Sequence, residues 1–178
     1  MYCGNNKTAL ASQRQIADAL FALMNEQPYG SITVSAVCKR ADVSRQTYYS
    51  LFQSKDNVIT FALRNDCCYS AAQEPACPLS FREMCGKFSR YIIQHADMLE
   101  VLSRHALMPL FHAVLREDFS ACLTLAGACG EKLKPYVNDF LAAGIASAAE
   151  TYVRSGKNAN AQELEEIIYC LLRGEYYP

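Results

Sequence analysis

Apolar residues recur three and four positions apart along most of this chain, the spacing that lays one stripe down an α-helix. The only β-branched cluster, Ile32-Thr33-Val34, is too short to build a sheet, so the pattern predicts an all-α protein. Ile16, Ala19, Leu20 and Leu23 put a stripe on a first helix from about Thr8 to Met24, which Pro28 and Gly30 end. Thr33 and Ser44 then stand as N-caps of two short helices, Val34 to Ala41 and Arg45 to Phe52, with only Asp42 and Val43 ahead of the second cap. Ser54 caps a fourth helix, which begins at Lys55, carries Val58, Ile59, Phe61, Ala62 and Leu63 on its apolar side, and has room to run past Cys68.

The segment Glu74-Pro75-Ala76-Cys77-Pro78 is the clearest break, because each proline removes a helix donor and restricts the residue before it. A domain boundary is expected there, dividing 1–73 from 74–178. Beyond it Ser80 starts a helix through Phe88, Ile92 and Ile93, and Asp97 is expected to cap another that ends before Pro109. A long helix is expected from Pro109 to about Cys129. Pro135 should occupy the first position of the next, Tyr136 to Ser155, which Gly156 stops; Asn160 opens a last helix through Leu172.

Composition narrows the class. With 178 residues, about half of them hydrophobic, the chain can bury a substantial core without staples. There is no apolar run of about 18 residues, and Met1 to Gln13 lacks a basic-then-apolar signal pattern, so a cytoplasmic protein with no membrane span is expected. The nine cysteines are odd in number and never spaced C-x-x-C, which favours small reduced core residues over a disulfide framework or metal knuckle. The net charge of −1 conceals an asymmetry: up to Asp66 there are seven basic and five acidic residues, and after it ten and thirteen. The positive end coincides with the two short helices.

An amphipathic helix, two short helices joined by a tight turn, and a longer helix are the outline of a three-helix DNA-binding unit. The run from Ile32 to Asp56 closely resembles the TetR family signature. It matches in Tyr48-Tyr49, the spaced Phe52 and the Ser54-Lys55-Asp56 triplet directly after the recognition helix. Asp42 stands where the family usually has Gly, at a position needing left-handed backbone that Asp tolerates better than most residues. Gln46 is a second departure, at a position where the family often has Gly.

The resemblance implies a helix-turn-helix domain followed by a larger helical ligand-binding and dimerisation domain. It also implies a regulator of transcription, in the commonest form a repressor released from its operator by an inducer. Candidate DNA contacts are Thr33, Ser35, Ser44, Arg45, Gln46, Thr47, Tyr49, Ser54 and Lys55. Arg45 suits a bidentate contact to guanine and Gln46 one to adenine, each discriminating by about 1–3 kcal/mol. The family equivalent of Tyr49 reaches a phosphate, while Tyr48 and Phe52, four apart, should face the core. Lys55 opposes the helix macrodipole at a local cost of about 0.3–1 kcal/mol, which makes sense if Ser54, free amides and Lys55 receive a phosphate. Ordinary capping is the alternative for Thr33 and Ser54.

In the family the last two helices of each subunit form a four-helix dimer bundle. Ala143, Ile145, Ala148, Leu164, Ile168 and Leu171 are the expected interface, and a homodimer would read a palindromic operator in duplex DNA. The middle helices would surround an inducer of unknown identity, with Phe88, Tyr91, Leu102, Phe111 and Phe119 as candidate lining. No cofactor or metal is expected. His105 and His112 are seven apart, but Pro109 between them argues against a shared metal site. An enzyme or carrier built on a helical bundle would need a Glu-x-x-His pair, a phosphate loop or a serine elbow, and the chain has none. A relative acting as a protein adaptor or co-activator without DNA binding is the other alternative, which the presence of Arg45, Tyr49 and Lys55 opposes.

Overall fold

The computed structural model describes residues 7–65, 80–121 and 130–174, and every regular element among them is a helix. The chain divides into two compact units, Met1–Asp66 and Cys67–Pro178. The proline break at 75 and 78, the expected boundary at 73/74, the run of the fourth helix past Cys68 and the approach to Cys129 lie outside the described residues.

The first unit contains α1 (Lys7–Glu26), a 3-10 turn (Tyr29–Ser31), α2 (Val34–Arg40), α3 (Arg45–Leu51) and α4 (Lys55–Asn65). The stripe of α1 is buried as its spacing requires, with Ile16 and Leu20 wholly inaccessible, and α1 packs on both α2 and α4. Val37, Tyr48, Phe52, Val58, Ile59 and Leu63 complete the core from the other helices. Each such side chain contributes about 1.5–3 kcal/mol on leaving water. Phe52, the C-cap of α3, meets Phe61 of α4 edge-on at 5.6 Å between ring centres, which fixes how α3 lies on α4.

The second unit contains α5 (Phe81–Gln94), α6 (Ala96–Arg104), α7 (Met108–Ala121), α8 (Lys134–Arg154) and α9 (Ala161–Arg173). α5 packs on α9, and α6 and α7 both pack on α8. Two capping boxes start the outer pair: Ser80 with Glu83 on α5, and Asn160 with Glu163 on α9. Gly174 ends α9 in left-handed backbone at φ 74°. Pro135 sits at the second residue of α8, one later than expected, where a missing N–H still costs nothing.

Asp97 does not cap α6. The N-cap is His95, and the Asp97 carboxylate instead accepts from Lys157 Nζ at 2.6 Å, a lysine that also reaches Glu100 at 2.8 Å. This bond to Lys157 holds the Asp97 carboxyl below its ordinary value. His105 ends α6 and His112 lies within α7, so the two histidines are on different helices.

The expected inducer lining is densely packed. Phe88, Tyr91, Leu102, Phe111 and Phe119 are all buried, with Phe88 against Phe119 at 5.4 Å and Tyr91 stacked on Phe111 at 5.9 Å.

The residues of the expected dimer face divide between buried and exposed positions within the subunit. Ile145 and Ile168 are inaccessible within their own subunit, Leu164 and Ala148 nearly so, and only Ala143 and Leu171 of the six are exposed. α8 and α9 carry apolar residues on two faces, one turned inward and one exposed. The outward apolar face carries Phe140, Ile167 and Leu171, at 59%, 47% and 41% exposure. With Gly144 and Leu172 these residues line a hollow of about 640 Å³ between α8 and α9.

Candidate nucleic-acid interface

The turn between α2 and α3 is built from backbone that any helix-turn-helix needs. Ala41 closes α2 by donating to Val37 O at 2.9 Å, and Val43 N–H donates to Cys38 O at 3.0 Å across the turn. Between them Asp42 adopts φ 52°, the left-handed conformation foreseen from its place in the motif. Ser44 then caps α3: its Oγ accepts from Thr47 N at 2.9 Å and shares a second hydrogen bond with Thr47 Oγ1 at 2.9 Å. Thr33 caps α2 by accepting from Ala36 N at 3.1 Å. Ser54 caps α4 through Asn57 N at 3.2 Å.

These caps set the rotation of α3. Tyr48 and Phe52 point inward with no exposure at all. Burial, and then the neighbouring Cys38 and Tyr49, push the Tyr48 phenol up to about 12, and its hydroxyl has no hydrogen-bond partner. The opposite face presents Arg45, Gln46 and Tyr49 to solvent. Tyr49 is 58% exposed, and its ring leans edge-on against Tyr48 at 5.4 Å, so an exposed phenol is held on a buried one. The Arg45 guanidinium donates to Ser35 Oγ, which joins the start of α3 to the first turn of α2.

Nine positions were expected to touch DNA. Ser35, Arg45, Gln46 and Tyr49 are exposed on α2 and α3, with Thr47 half-buried among them. Thr33, Ser44 and Ser54 are exposed but already serve as caps.

Lys55 differs most from its expected role. Its ammonium donates to Tyr29 O at 2.7 Å and Ile32 O at 2.6 Å, and lies 4.2 Å from the centre of the Tyr29 ring. Two of its three donors are therefore spent on the loop before α2. Burial lowers its affinity for a proton, partly offset by Asp56. Tyr29, which sequence reasoning passed over, completes the cluster: its hydroxyl donates to Asp56 Oδ1, and burial followed by that bond raises its pKa. An aromatic in a Pro-Tyr-Gly turn was the available signal, but its partners lie 26 and 27 residues along the chain.

The family profile described as "Bacterial regulatory proteins, tetR family" matches residues 16–60, from the middle of α1 into α4. The chain is 34% identical over 62 residues to the HTH-type dhaKLM operon transcriptional activator DhaS of Lactococcus lactis subsp. lactis (strain IL1403). That match spans 35% of this chain and about a third, 33%, of the relative. Among solved structures, Lin0861 from Listeria innocua superposes with a TM-score of 0.83 at 18% identity, covering 98% of this chain and 96% of that one. A TetR transcriptional regulator from Streptococcus agalactiae 2603V gives 0.60 at 17% identity, covering 93% and 96%. Residues 16–60, the segment that holds the helix-turn-helix, therefore match the TetR family profile, and the all-helical fold of the chain is similar to that of solved TetR-type regulators.

Proposed function

We propose that this protein is a DNA-binding regulator of transcription that acts as a homodimer on a palindromic operator and answers to a small molecule. The observation that carries the reading is the division of α3. Tyr48 and Phe52 anchor one face in the core, while Arg45, Gln46 and Tyr49 are exposed on the other with the helix start open to a groove. In this reading Arg45 and Gln46 read base edges, and Tyr49 and Ser35 bind phosphates. Lys55 secures the loop that carries Thr33 and offers at most its third donor to DNA. The dimer forms through the outward face of Phe140, Ile167 and Leu171, an apolar surface unsuited to permanent exposure. The described helices include none long and apolar enough to cross a membrane, in keeping with a cytoplasmic regulator.

Fluorescence anisotropy with the upstream region of the protein's own gene tests this directly. Arg45→Ala combined with Tyr49→Ala should weaken binding at least tenfold, and binding by the unaltered protein should fall steeply with salt, as phosphate neutralisation requires. Binding indifferent to both changes would reject α3 as the reading helix.

Activation rather than repression is a specific second reading, because the curated relative is described as an operon activator. A promoter fusion with and without the regulator gene separates the two. Deletion raises reporter output for a repressor and lowers it for an activator.

A further inference from the structure

A second hollow, of about 720 Å³, opens between the last turns of α7 and the first half of α8. Its size falls within the ~300–1,000 Å³ of small-molecule sites. What marks it is Asn138, which lines it at only 5% exposure and whose Oδ1 has no hydrogen-bond partner among the described residues. Buried polar atoms are almost always paired, so this acceptor is unsatisfied until something brings it a donor.

The surroundings define the donor. On the rim Arg116 stands 3.9 Å from Asp139, so the carboxylate next in sequence to Asn138 is already faced by a cation. Glu117 is not without a partner either. No unbalanced charge stands beside the orphan acceptor, which disfavours both an anion and a cation. Ser120 supplies a hydroxyl at the edge, and Tyr136, 75% exposed, provides an aromatic wall; Phe140, which also lines the hollow, belongs to the dimer face proposed above.

We infer that this hollow is the effector site of the second unit, taking a small uncharged ring compound whose hydroxyl or amide donates to Asn138 Oδ1. It lies apart from the packed cluster of Phe88, Tyr91, Leu102, Phe111 and Phe119. The effector role rests on the regulator reading above; the site itself does not.

The test uses full-length protein labelled with ¹⁵N-asparagine, in which the Asn138 side-chain amide signal is identified by its absence from Asn138→Ala. The probes are phenols and aromatic amides, with benzoates and benzylamines of matched size as charged counterparts. Uncharged probes should shift the Asn138 signal saturably and more tightly than the charged ones. Ser120→Trp, which fills the hollow from its exposed rim without touching the core, should weaken them at least tenfold. A bound probe should change operator affinity at least threefold.

The site is overturned if no uncharged probe moves the signal, if the response survives Ser120→Trp, or if the charged series binds as well. It is overturned equally if dilution moves the signal and no probe moves it further, since a second copy of the chain would then be the occupant. Probe binding without any effect on operator affinity removes the effector role. Failure of DNA binding with an intact probe response defeats the regulator reading and leaves the site standing.

Discussion

Lys55 is the residue where sequence and structure disagree most productively, and Lys55→Met separates the two accounts. Methionine keeps the stem length and removes the ammonium. The variant loses two charge-assisted hydrogen bonds to Tyr29 O and Ile32 O and the cation over the Tyr29 ring. Hydrogen bonds to charged groups contribute about 1.5–3 kcal/mol each, and both carbonyls sit at a partly wet edge, so the lower value applies. A cation over an exposed ring adds about 0.5 kcal/mol. Removing a cation from the first turn of α4 returns a similar amount through the macrodipole. The net expectation is a loss of about 3 kcal/mol, a large fraction of the ~5–15 kcal/mol that holds a domain folded. Urea unfolding followed by circular dichroism reads it as a lowered midpoint at unchanged slope. Lys55→Arg, with its planar fork, should recover only part, since one compact ammonium satisfies both carbonyls. The reasoning is refuted if Lys55→Met unfolds within about 0.5 kcal/mol of the original while its DNA binding weakens and loses salt dependence. That outcome would mean the ammonium serves a phosphate and the loop needs no tie.

Three further outcomes follow from named features. Asp42→Gly should stabilise the first unit by about 0.5–1 kcal/mol and Asp42→Val destabilise it by about 1 kcal/mol, both read in urea, because φ 52° strains every side chain and a β-branched one most. Ionised Glu83 is favoured by its hydrogen bonds with Ser80, which hold its pKa below 4.5. Its contribution is therefore complete above pH 4.5 and is lost as pH falls through the lower folded value; Glu83→Gln should flatten the acid limb of the stability curve, and an unchanged limb would remove the capping box from the account. Ile167→Arg should convert the proposed dimer to monomer in analytical ultracentrifugation with helix content retained, because Ile167 is exposed in the subunit; a surviving dimer would relocate the interface, and a monomeric unaltered protein would remove it.

The first unit was legible because its signals are local. Each N-cap lies within three residues of the amide it satisfies, and the interval from Tyr48 to Phe52 assigns both rings to one face. What escaped was anything whose partner is distant in sequence. Lys55 reads as a phosphate ligand until Tyr29 and Ile32 are brought beside it, and Asp97 reads as a cap until Lys157 arrives from 60 residues away. In the second unit the stripe Leu164, Ile168 and the stripe Ile167, Leu171 differ by one residue in phase. Periodicity reveals that α9 is apolar but not which side the subunit keeps for itself. The orphan at Asn138 had no sequence signal, since an unpaired acceptor is defined by what fails to surround it.

The contrast between Tyr48 and its neighbour Tyr49 has an evolutionary side. Within a helix of seven residues, the positions that fasten α3 and those that look outward are disjoint, and the anchor is duplicated in Phe52 at the helix end. Positions 45 and 46 are then open to deliberate reprogramming, and position 49 touches the core only through the edge of Tyr48. If the proposed reading holds, changing three letters would rewrite which operator is recognised while leaving the buried anchors of the scaffold in place.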